Sequence, residues 1–223
     1  MRRLSSLWLI IVLCSATAAV AERFDSKAAE KEFTDALRLA PVAIRGERIF
    51  ATCSACHGVD GSGLPDGSTP AIAGQHYPVL LRQLIDYRHA ARWDMRMEHV
   101  ARLQLLANLQ DLADVAAFVA DREPGRQPAF GDGEHLDRGV RSYFDRCQLC
   151  HGATGQGDAA QRIARLAGQH PDYLQRQFAD VLEGRRPRLT ESHTPMMQGL
   201  ELADIQGIAD YLSRTQRKRS NAP

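Results

Sequence analysis

Apolar residues recur at helical spacing in four stretches of the sequence, and no stretch shows a convincing alternation of the kind typical of β-strands. In chain order the apolar positions are Leu80, Leu81, Leu84 and Ile85; Leu112, Val115, Ala116 and Val119; Leu174, Phe178 and Val181; and Leu202, Ile205, Ile208, Ala209 and Leu212. Residues repeated every three or four positions lie on one face of a helix, which can pack on a core. The pattern therefore predicts an all-α protein.

A further amphipathic stretch runs from residue 24 to residue 39, ahead of these four. Its apolar positions are Phe24, Phe33, Ala36 and Leu37. We expect this stretch to form a helix that packs on the first half of the chain. An arm that binds a partner is the alternative.

The second half of the chain repeats the first at a shift of 94 residues, from Phe50, which pairs with Phe144, to Gln83, which pairs with Gln177. This period is too long for a solenoid repeat and suits a small domain that holds its own cofactor. The predicted organisation is a signal peptide at 1–21, a first domain at 22–123, a linker at 124–133, and a second domain with a basic C-terminal tail at 134–223.

Both copies contain the pattern C-x-x-C-H, as Cys53-Ser54-Ala55-Cys56-His57 and as Cys147-Gln148-Leu149-Cys150-His151. This run is the attachment signature of c-type haem. Two thiols on one helical turn can each form a thioether to a porphyrin vinyl group, and the adjoining histidine can bind the iron. We therefore expect two covalently bound haem c groups. Their ligating residues would be Cys53, Cys56 and His57, and Cys147, Cys150 and His151.

Other sites built from paired cysteines fit this sequence less well. A redox dithiol of the thioredoxin type belongs near a βαβ pattern, which is not found here. A zinc site made of two C-x-x-C halves has them about 15–20 residues apart, far closer than these two. A structural disulfide would explain the cysteines and leave the histidine that follows each pair unexplained.

The first 21 residues have the features of a secretory signal peptide. Arg2 and Arg3 precede a short apolar run, and Ala19-Val20-Ala21 is a typical cleavage site. Removing this segment also removes Cys14, and haem attachment accounts for the four cysteines that remain. We therefore expect a periplasmic protein. The formal net charge of +1 does not call for nucleic acid as a partner, and no later segment is apolar enough to span a membrane.

We expect methionine to be the distal ligand of each iron. A methionine thioether saturates the metal and raises its potential. Apart from Met1, the methionines are Met95, Met97, Met196 and Met197. All four lie between the third and last helices of their copy, where we expect a loop on the distal side of the haem. The usual role of methionine is to fill a core, so confinement to these two segments favours ligation.

The sequence resembles a dihaem cytochrome c of the cytochrome c4 type, in which two class I cytochrome c domains follow one another. Besides the two C-x-x-C-H-G motifs, the resemblance rests on Ile72-Ala73-Gly74-Gln75, Leu166-Ala167-Gly168-Gln169 and the segments around Arg92–Met97, Asp114–Phe118 and Asp204–Leu212. It covers nearly all of the chain after the leader. It implies two tandem cytochrome c-like domains, and it implies Met97 as the distal ligand in the first.

The second domain departs from the family's pattern in two ways. His193 stands where many relatives have their ligand methionine, so Met196, Met197 and His193 all remain candidates, and Met196 is our choice. A histidine ligand would lower the potential. Ala164 stands where Pro70 stands in the first copy, and class I relatives commonly use this proline's carbonyl to hold the proximal histidine. The carbonyl of Ala164 can still serve as that acceptor, but we expect the orientation of His151 to be less secure.

The resemblance implies an electron carrier with no catalytic residues. Such a carrier takes electrons from a quinol-oxidising complex or a dehydrogenase and passes them to an acceptor such as a terminal oxidase, with peripheral membrane docking left open. One alternative is the electron-accepting subunit of an oxidoreductase, as in flavocytochrome c. The other is a dihaem enzyme with an exchangeable ligand.

Overall fold

The computed structural model describes residues 26–123, 125 and 129–216. The predicted signal peptide, Cys14, Phe24 and residues 217–223 of the basic tail lie outside these ranges. The helices of the first domain are α1 Ser26–Leu37, α2 Ala43–His57, α3 Tyr77–Arg88, α4 Met95–Ala101 and α5 Leu109–Asp121, with a 3₁₀ turn at Gln104–Leu106. Those of the second are α6 Leu136–Arg146, α7 Gln148–His151, α8 Pro171–Leu182, α9 Pro187–Met197 and α10 Leu202–Arg214.

The all-α prediction is confirmed. One isolated bridge, between Asp158 and Ile163, is the only β-type pairing in the described part of the chain. No helix within the same ranges is long and apolar enough to cross a membrane. The predicted domain boundaries stay predictions.

The N-terminal helix α1 packs on the first domain, as expected. Ala29, Phe33 and Ala36 are fully buried and belong to the same hydrophobic cluster as Ile49 and Leu112. The guanidinium of Arg82 lies 3.6 Å from the centre of the Phe33 ring, which adds a cation–π contact to the apolar burial. The helix is therefore part of the core of the first domain.

In each domain the helix that leads into the haem motif crosses the last helix at a glycine. A Cβ atom on Gly46 of α2 would lie 2.1 Å from the carbonyl oxygen of Asp114 in α5. A Cβ atom on Gly139 of α6 would lie 1.8 Å from the carbonyl carbon of Gly207 in α10. These backbones approach so closely that only glycine fits, and the crossing fixes the direction in which each motif enters its domain.

Two elements differ from the sequence prediction. The expected distal loops contain helices, since Met97 lies on α4 and Met196 on α9. Asp94 caps α4 by accepting hydrogen bonds from the backbone amides of Arg96 and Met97, and Pro187 occupies the first turn of α9. In the second domain α6 ends at Arg146, and Cys147, with φ of −118°, separates it from the single turn α7.

Candidate haem sites

The two cysteines of each motif lie one helical turn apart at the edge of the core. In the first domain α2 continues through the motif, and in the second the single turn α7 ends at His151. Cys53 and Cys147 are half-buried, Cys56 and Cys150 are exposed, and none of the four forms a disulfide. Burial raises the pKa of the Cys53 thiol to about 11, and that of Cys147 likewise to about 11. Each pair is thus available for two thioether bonds.

A backbone carbonyl orients the first motif histidine. The Nδ1 atom of His57 lies 3.0 Å from the carbonyl oxygen of Pro70. Burial lowers the pKa of His57 more than this hydrogen bond raises it, so the imidazole is neutral at neutral pH. A neutral ring that donates from Nδ1 leaves the Nε2 lone pair for a metal, which is the arrangement that a proximal ligand needs.

The second motif histidine is held equally well. The Nδ1 atom of His151 lies 2.9 Å from the carbonyl oxygen of Ala164, and burial again lowers the pKa of the ring. The expectation that the carbonyl of Ala164 can serve as the acceptor is confirmed. The acceptor is a backbone carbonyl, so the change from Pro70 to Ala164 alters the side chain and leaves the acceptor in place.

Glycine lets the loop bring that carbonyl to the histidine. Gly63 has a positive φ of 74°, and a Cβ atom there would lie 2.6 Å from the carbonyl oxygen of Pro70. Gly157 has φ of 66°, and its Cβ would lie 2.5 Å from the carbonyl oxygen of Ala164. Their amides donate to the carbonyls of His57 and His151, at 2.8 and 2.9 Å. The glycine-rich loop is therefore the device that orients each proximal ring.

Met97 is the better placed methionine on the distal side of the first domain. Its amide donates to Asp94 at 3.1 Å, which fixes its backbone in the first turn of α4, and its side chain is half-buried. Met95, two residues earlier, is 76% exposed. The choice of Met97 as distal ligand stays a prediction.

The second domain offers a different distal arrangement. Met196, our choice from sequence, is 47% exposed, while Met197 and His193 are half-buried. The imidazole rings of His193 and His151 lie next to each other, with centroids 6.2 Å apart. The structure thus brings His193, one of the two alternatives to Met196, to the motif histidine.

A reciprocal pair of glutamines joins the two domains. The side chain of Gln169 accepts a hydrogen bond from the amide of Ala71 at 3.0 Å and donates to the carbonyl of the same residue at 2.8 Å. Gln75 does the same to Arg165, at 2.9 and 2.8 Å. Both glutamines belong to the repeated Ala-Gly-Gln-His segment. Their partners are also equivalent in the repeat, because residue 71 corresponds to residue 165.

The same peptide groups hold the proximal histidines. The carbonyl of the Pro70–Ala71 peptide binds His57, and its N–H binds Gln169 of the other domain. The carbonyl of the Ala164–Arg165 peptide binds His151, and its N–H binds Gln75. Each domain therefore supplies a glutamine to the peptide that orients the other domain's proximal ligand.

His76 and His170 complete the reciprocal interface. The Nε2 atom of His76 lies 2.8 Å from the carbonyl oxygen of Gln156, and that of His170 lies 2.7 Å from the carbonyl oxygen of Ser62. Their contacts are between domains.

Sequence reasoning missed a pair of arginines at this interface, of which Arg92 is buried and Arg186 is half-buried. Arg92 donates to Tyr173 at 2.5 Å and to Gln177 at 2.8 Å, and Arg186 donates to Gln177 at 2.9 Å and to Gln83 at 3.0 Å. Burial, and next the like charge of Arg92, lower the pKa of Arg186 to about 10, so it stays charged at neutral pH. The two arginines are 94 residues apart, and this match was the signal available in the sequence.

These features fit a haem in each domain. Paired free thiols adjoin a neutral imidazole whose Nδ1 is held by a carbonyl, which is the donor set of a c-type haem. The positive charges of Arg92 and Arg186 are of the sign that suits the carboxylates of a porphyrin.

The sequence matches the cytochrome c family twice, over residues 43–123 and 136–216. It is 35% identical to cytochrome c4 of Pseudomonas aeruginosa over 182 residues, which are 76% of this chain and 87% of that protein. It is 27% identical over 183 residues to a thiosulfate dehydrogenase electron acceptor of Stutzerimonas stutzeri, covering 75% and 81% of the two chains. The crystal structure of reduced recombinant cytochrome c4 from Pseudomonas stutzeri resembles it with a TM-score of 0.70 at 27% identity, covering 79% of this chain and 100% of that one.

The two family matches include both C-x-x-C-H motifs and most of the described helices. The relationship to cytochrome c4 extends through both halves of the chain and includes the fold. The chain belongs to the cytochrome c family, as a cytochrome c4-like electron carrier with two tandem domains that each bind one covalent haem c.

Proposed function

We propose that this protein carries single electrons between a respiratory donor and an acceptor in the periplasm. The donor would be a quinol-oxidising complex or a dehydrogenase, and the acceptor a protein such as a terminal oxidase. Haem iron supplies the one-electron chemistry, and the chain supplies attachment, orientation and partner contact. Thioethers would form at Cys53, Cys56, Cys147 and Cys150, with His57 and His151 as proximal ligands and Met97 as the distal ligand of the first haem.

The observation that carries the proposal is the reciprocal interface. Two proximal histidines are oriented by peptides that also hydrogen-bond to the opposite domain through Gln169 and Gln75. A carrier that moves an electron between two centres benefits from such a fixed geometry, because little of the chain then reorganises when the charge moves. No described side chain beside the haem motifs is needed as an acid or a nucleophile in this function.

The test is turnover by the intact protein with its haem complement verified at two per chain. Membranes with quinol-oxidising activity should reduce both haems, and membranes with terminal oxidase activity should reoxidise them. Rates should fall with ionic strength if docking is electrostatic. A protein with two haems that neither membrane preparation reduces or oxidises would contradict the proposal.

A second candidate is the electron-accepting partner of a dehydrogenase. The observation that favours it is the 27% identity to a protein named thiosulfate dehydrogenase electron acceptor. Native purification separates the two roles. A catalytic subunit present at fixed stoichiometry through size-exclusion chromatography supports the subunit role, and a lone dihaem chain supports the free carrier.

A further inference from the structure

The facing histidines of the second domain have the spacing of two ligands on one metal. The ring centroids of His151 and His193 are 6.2 Å apart, and their planes are inclined by 59°. An imidazole nitrogen binds a metal at about 2 Å and lies about 1 Å from its ring centre, so two coaxial imidazoles have centroids about 6 Å apart. Coaxial ligands can have any angle between their planes, so an inclination of 59° is compatible with ligation.

Spacing alone does not distinguish ligation from aromatic packing, which also allows centroids 4.5–7 Å apart. The contacts made by the two Nδ1 atoms are a second observation that favours ligation. The Nδ1 atom of His151 is held by Ala164 at 2.9 Å, and that of His193 lies 2.9 Å from the hydroxyl of Ser192. On both rings the partner of Nδ1 leaves Nε2 as the nitrogen available to a metal, and a held Nδ1 is the usual second contact of a ligating histidine.

The two competing methionines share a helix face with His193, and one of them is exposed. His193, Met196 and Met197 lie at i, i+3 and i+4 on α9 and therefore share one face of that helix. The ring of His193 lies beside that of His151, whereas the side chain of Met196 is 47% exposed.

We propose that His193 is the distal ligand of the second haem, so that this iron has a histidine on either side. The proposal rests on the proposed function only in requiring that both haems are bound. Because a thioether raises the potential of haem iron relative to histidine, the second haem then has the lower potential of the two. Electrons therefore move downhill from the second domain to the first, which places the donor at the second domain and the acceptor at the first.

The test begins with the intact holoprotein and His193→Ala, which removes no core residue because α9 has no buried side chain. Carbon monoxide should bind rapidly to one haem per chain in the reduced variant and to neither haem in the unmodified protein. Added imidazole should restore the unmodified spectrum of the second haem. The matched control is His99→Ala, which changes an exposed histidine 94 residues earlier and should leave both haems unchanged.

A second readout counts methionine ligands through the sulfur-to-iron charge-transfer band of the oxidised protein. We expect one such band per chain, abolished by Met97→Leu and unaffected by Met196→Leu or Met197→Leu. Two bands, or loss of a band in either of the last two variants, would overturn the proposal, as would a His193→Ala protein with no new carbon monoxide binding. Fewer than two haems per chain would overturn the proposed function as well, so the two failures are distinguishable.

Discussion

The two domains share one way of orienting the proximal histidine but differ in how much core supports it. In both, a glycine with positive φ lets a loop carbonyl reach the histidine, at 3.0 Å in the first domain and 2.9 Å in the second. The buried hydrophobic cluster of the first domain has twelve residues, three of them from α1, and that of the second has five. The proximal geometry is therefore set by backbone contacts and needs little apolar core.

The distal sides differ more than the proximal ones. In the first domain α4 begins at a capped turn that fixes the amide of Met97. In the second domain α9 contains Pro195, has no buried side chain and presents His193 to His151. The distal ligand has a large effect on the reduction potential of haem iron. The two copies of the repeat therefore differ most in the segments that can make the two potentials differ.

The largest effect should come from placing a side chain where α6 and α10 of the second domain cross. In Gly139→Ala the new methyl group would lie 1.8 Å from the backbone of Gly207, which cannot move as a side chain would. We expect a loss of about 4 kcal/mol or more and a protein that retains one haem per chain. Haem counting by pyridine haemochrome absorbance measures this directly.

The control for that experiment is Gly184→Ala. Gly184 has a positive φ of 74°, but nothing lies within 4 Å of the position of its Cβ. Strain alone should cost about 1–2 kcal/mol, and both haems should be retained. Gly139 lies in helical backbone that alanine adopts without strain, so a loss in Gly139→Ala no larger than that in Gly184→Ala would mean that the helix crossing accommodates a methyl group.

Shortening the largest buried side chain of α1 tests the difference in core size between the two domains. Phe33→Ala removes a fully buried ring from the cluster of the first domain and should cost about 3–4 kcal/mol of stability. Denaturation followed at each haem should show the first domain unfolding earlier than in the unmodified protein. Leu202→Ala is the control, since Leu202 is 67% exposed and should cost less than about 0.5 kcal/mol.

Removing the thioether of Met97 should narrow the difference in potential between the two haems. Met97→Ala should open the first iron and lower its potential by on the order of 100 mV, equivalent to about 2.3 kcal/mol for one electron. Redox titration resolves the two haems, and Met95→Ala, which changes an exposed neighbour, serves as the control. An unchanged titration of Met97→Ala would remove Met97 from the ligand set.

Removing the negative charge of Asp204 should lower the stability of the second domain by a smaller amount. The guanidinium of Arg138 binds both oxygens of Asp204 at 2.7 Å, and Ser142 donates to the same carboxylate. These contacts, Arg138 foremost, hold the pKa of Asp204 well below its usual range. Asp204→Asn should therefore cost about 2 kcal/mol at neutral pH, measured by urea denaturation.

The pH dependence of that loss follows from the sign of the shift. A carboxylate whose pKa is lower in the folded state stabilises the fold fully above its unfolded value of about 3.9 and loses that contribution as the pH falls further. The unmodified protein should lose stability below about pH 4, and Asp204→Asn should lose less over the same range. Parallel curves for the two proteins would show that another group controls the acid sensitivity.

The sequence predicted the helices of the core and the haem motifs but not the partners of the repeated residues. Helical spacing located α3, α5, α8 and α10 because apolar faces follow from local order. The helical form of the distal segments was missed, since α9 starts at one proline and contains another. The hydrogen bonds between the domains could not be predicted from the sequence, because Gln75 and Arg165 are 90 residues apart and no local pattern indicates which backbone group a glutamine binds.

The smallest expected effect tests whether each domain influences the reduction potential of the haem in the other. Gln75 accepts a hydrogen bond from the amide of Arg165, in the peptide whose carbonyl holds His151. Hydrogen bonds in series strengthen one another, so this contact makes the carbonyl a better acceptor, His151 more electron-rich and the oxidised second haem more stable. Gln75→Met should therefore raise the potential of the second haem by roughly tens of millivolts, where about 59 mV corresponds to a tenfold change in the equilibrium.

The repeat supplies the matched variant. Gln169 makes the same contact with the amide of Ala71, in the peptide that holds His57, so Gln169→Met should raise the potential of the first haem. Each substitution should thus act mainly on the haem of the domain in which it was not made. If each variant instead shifted the haem of its own domain, the shared peptides would be structural contacts only, and the potentials would be set within each domain by its axial ligands.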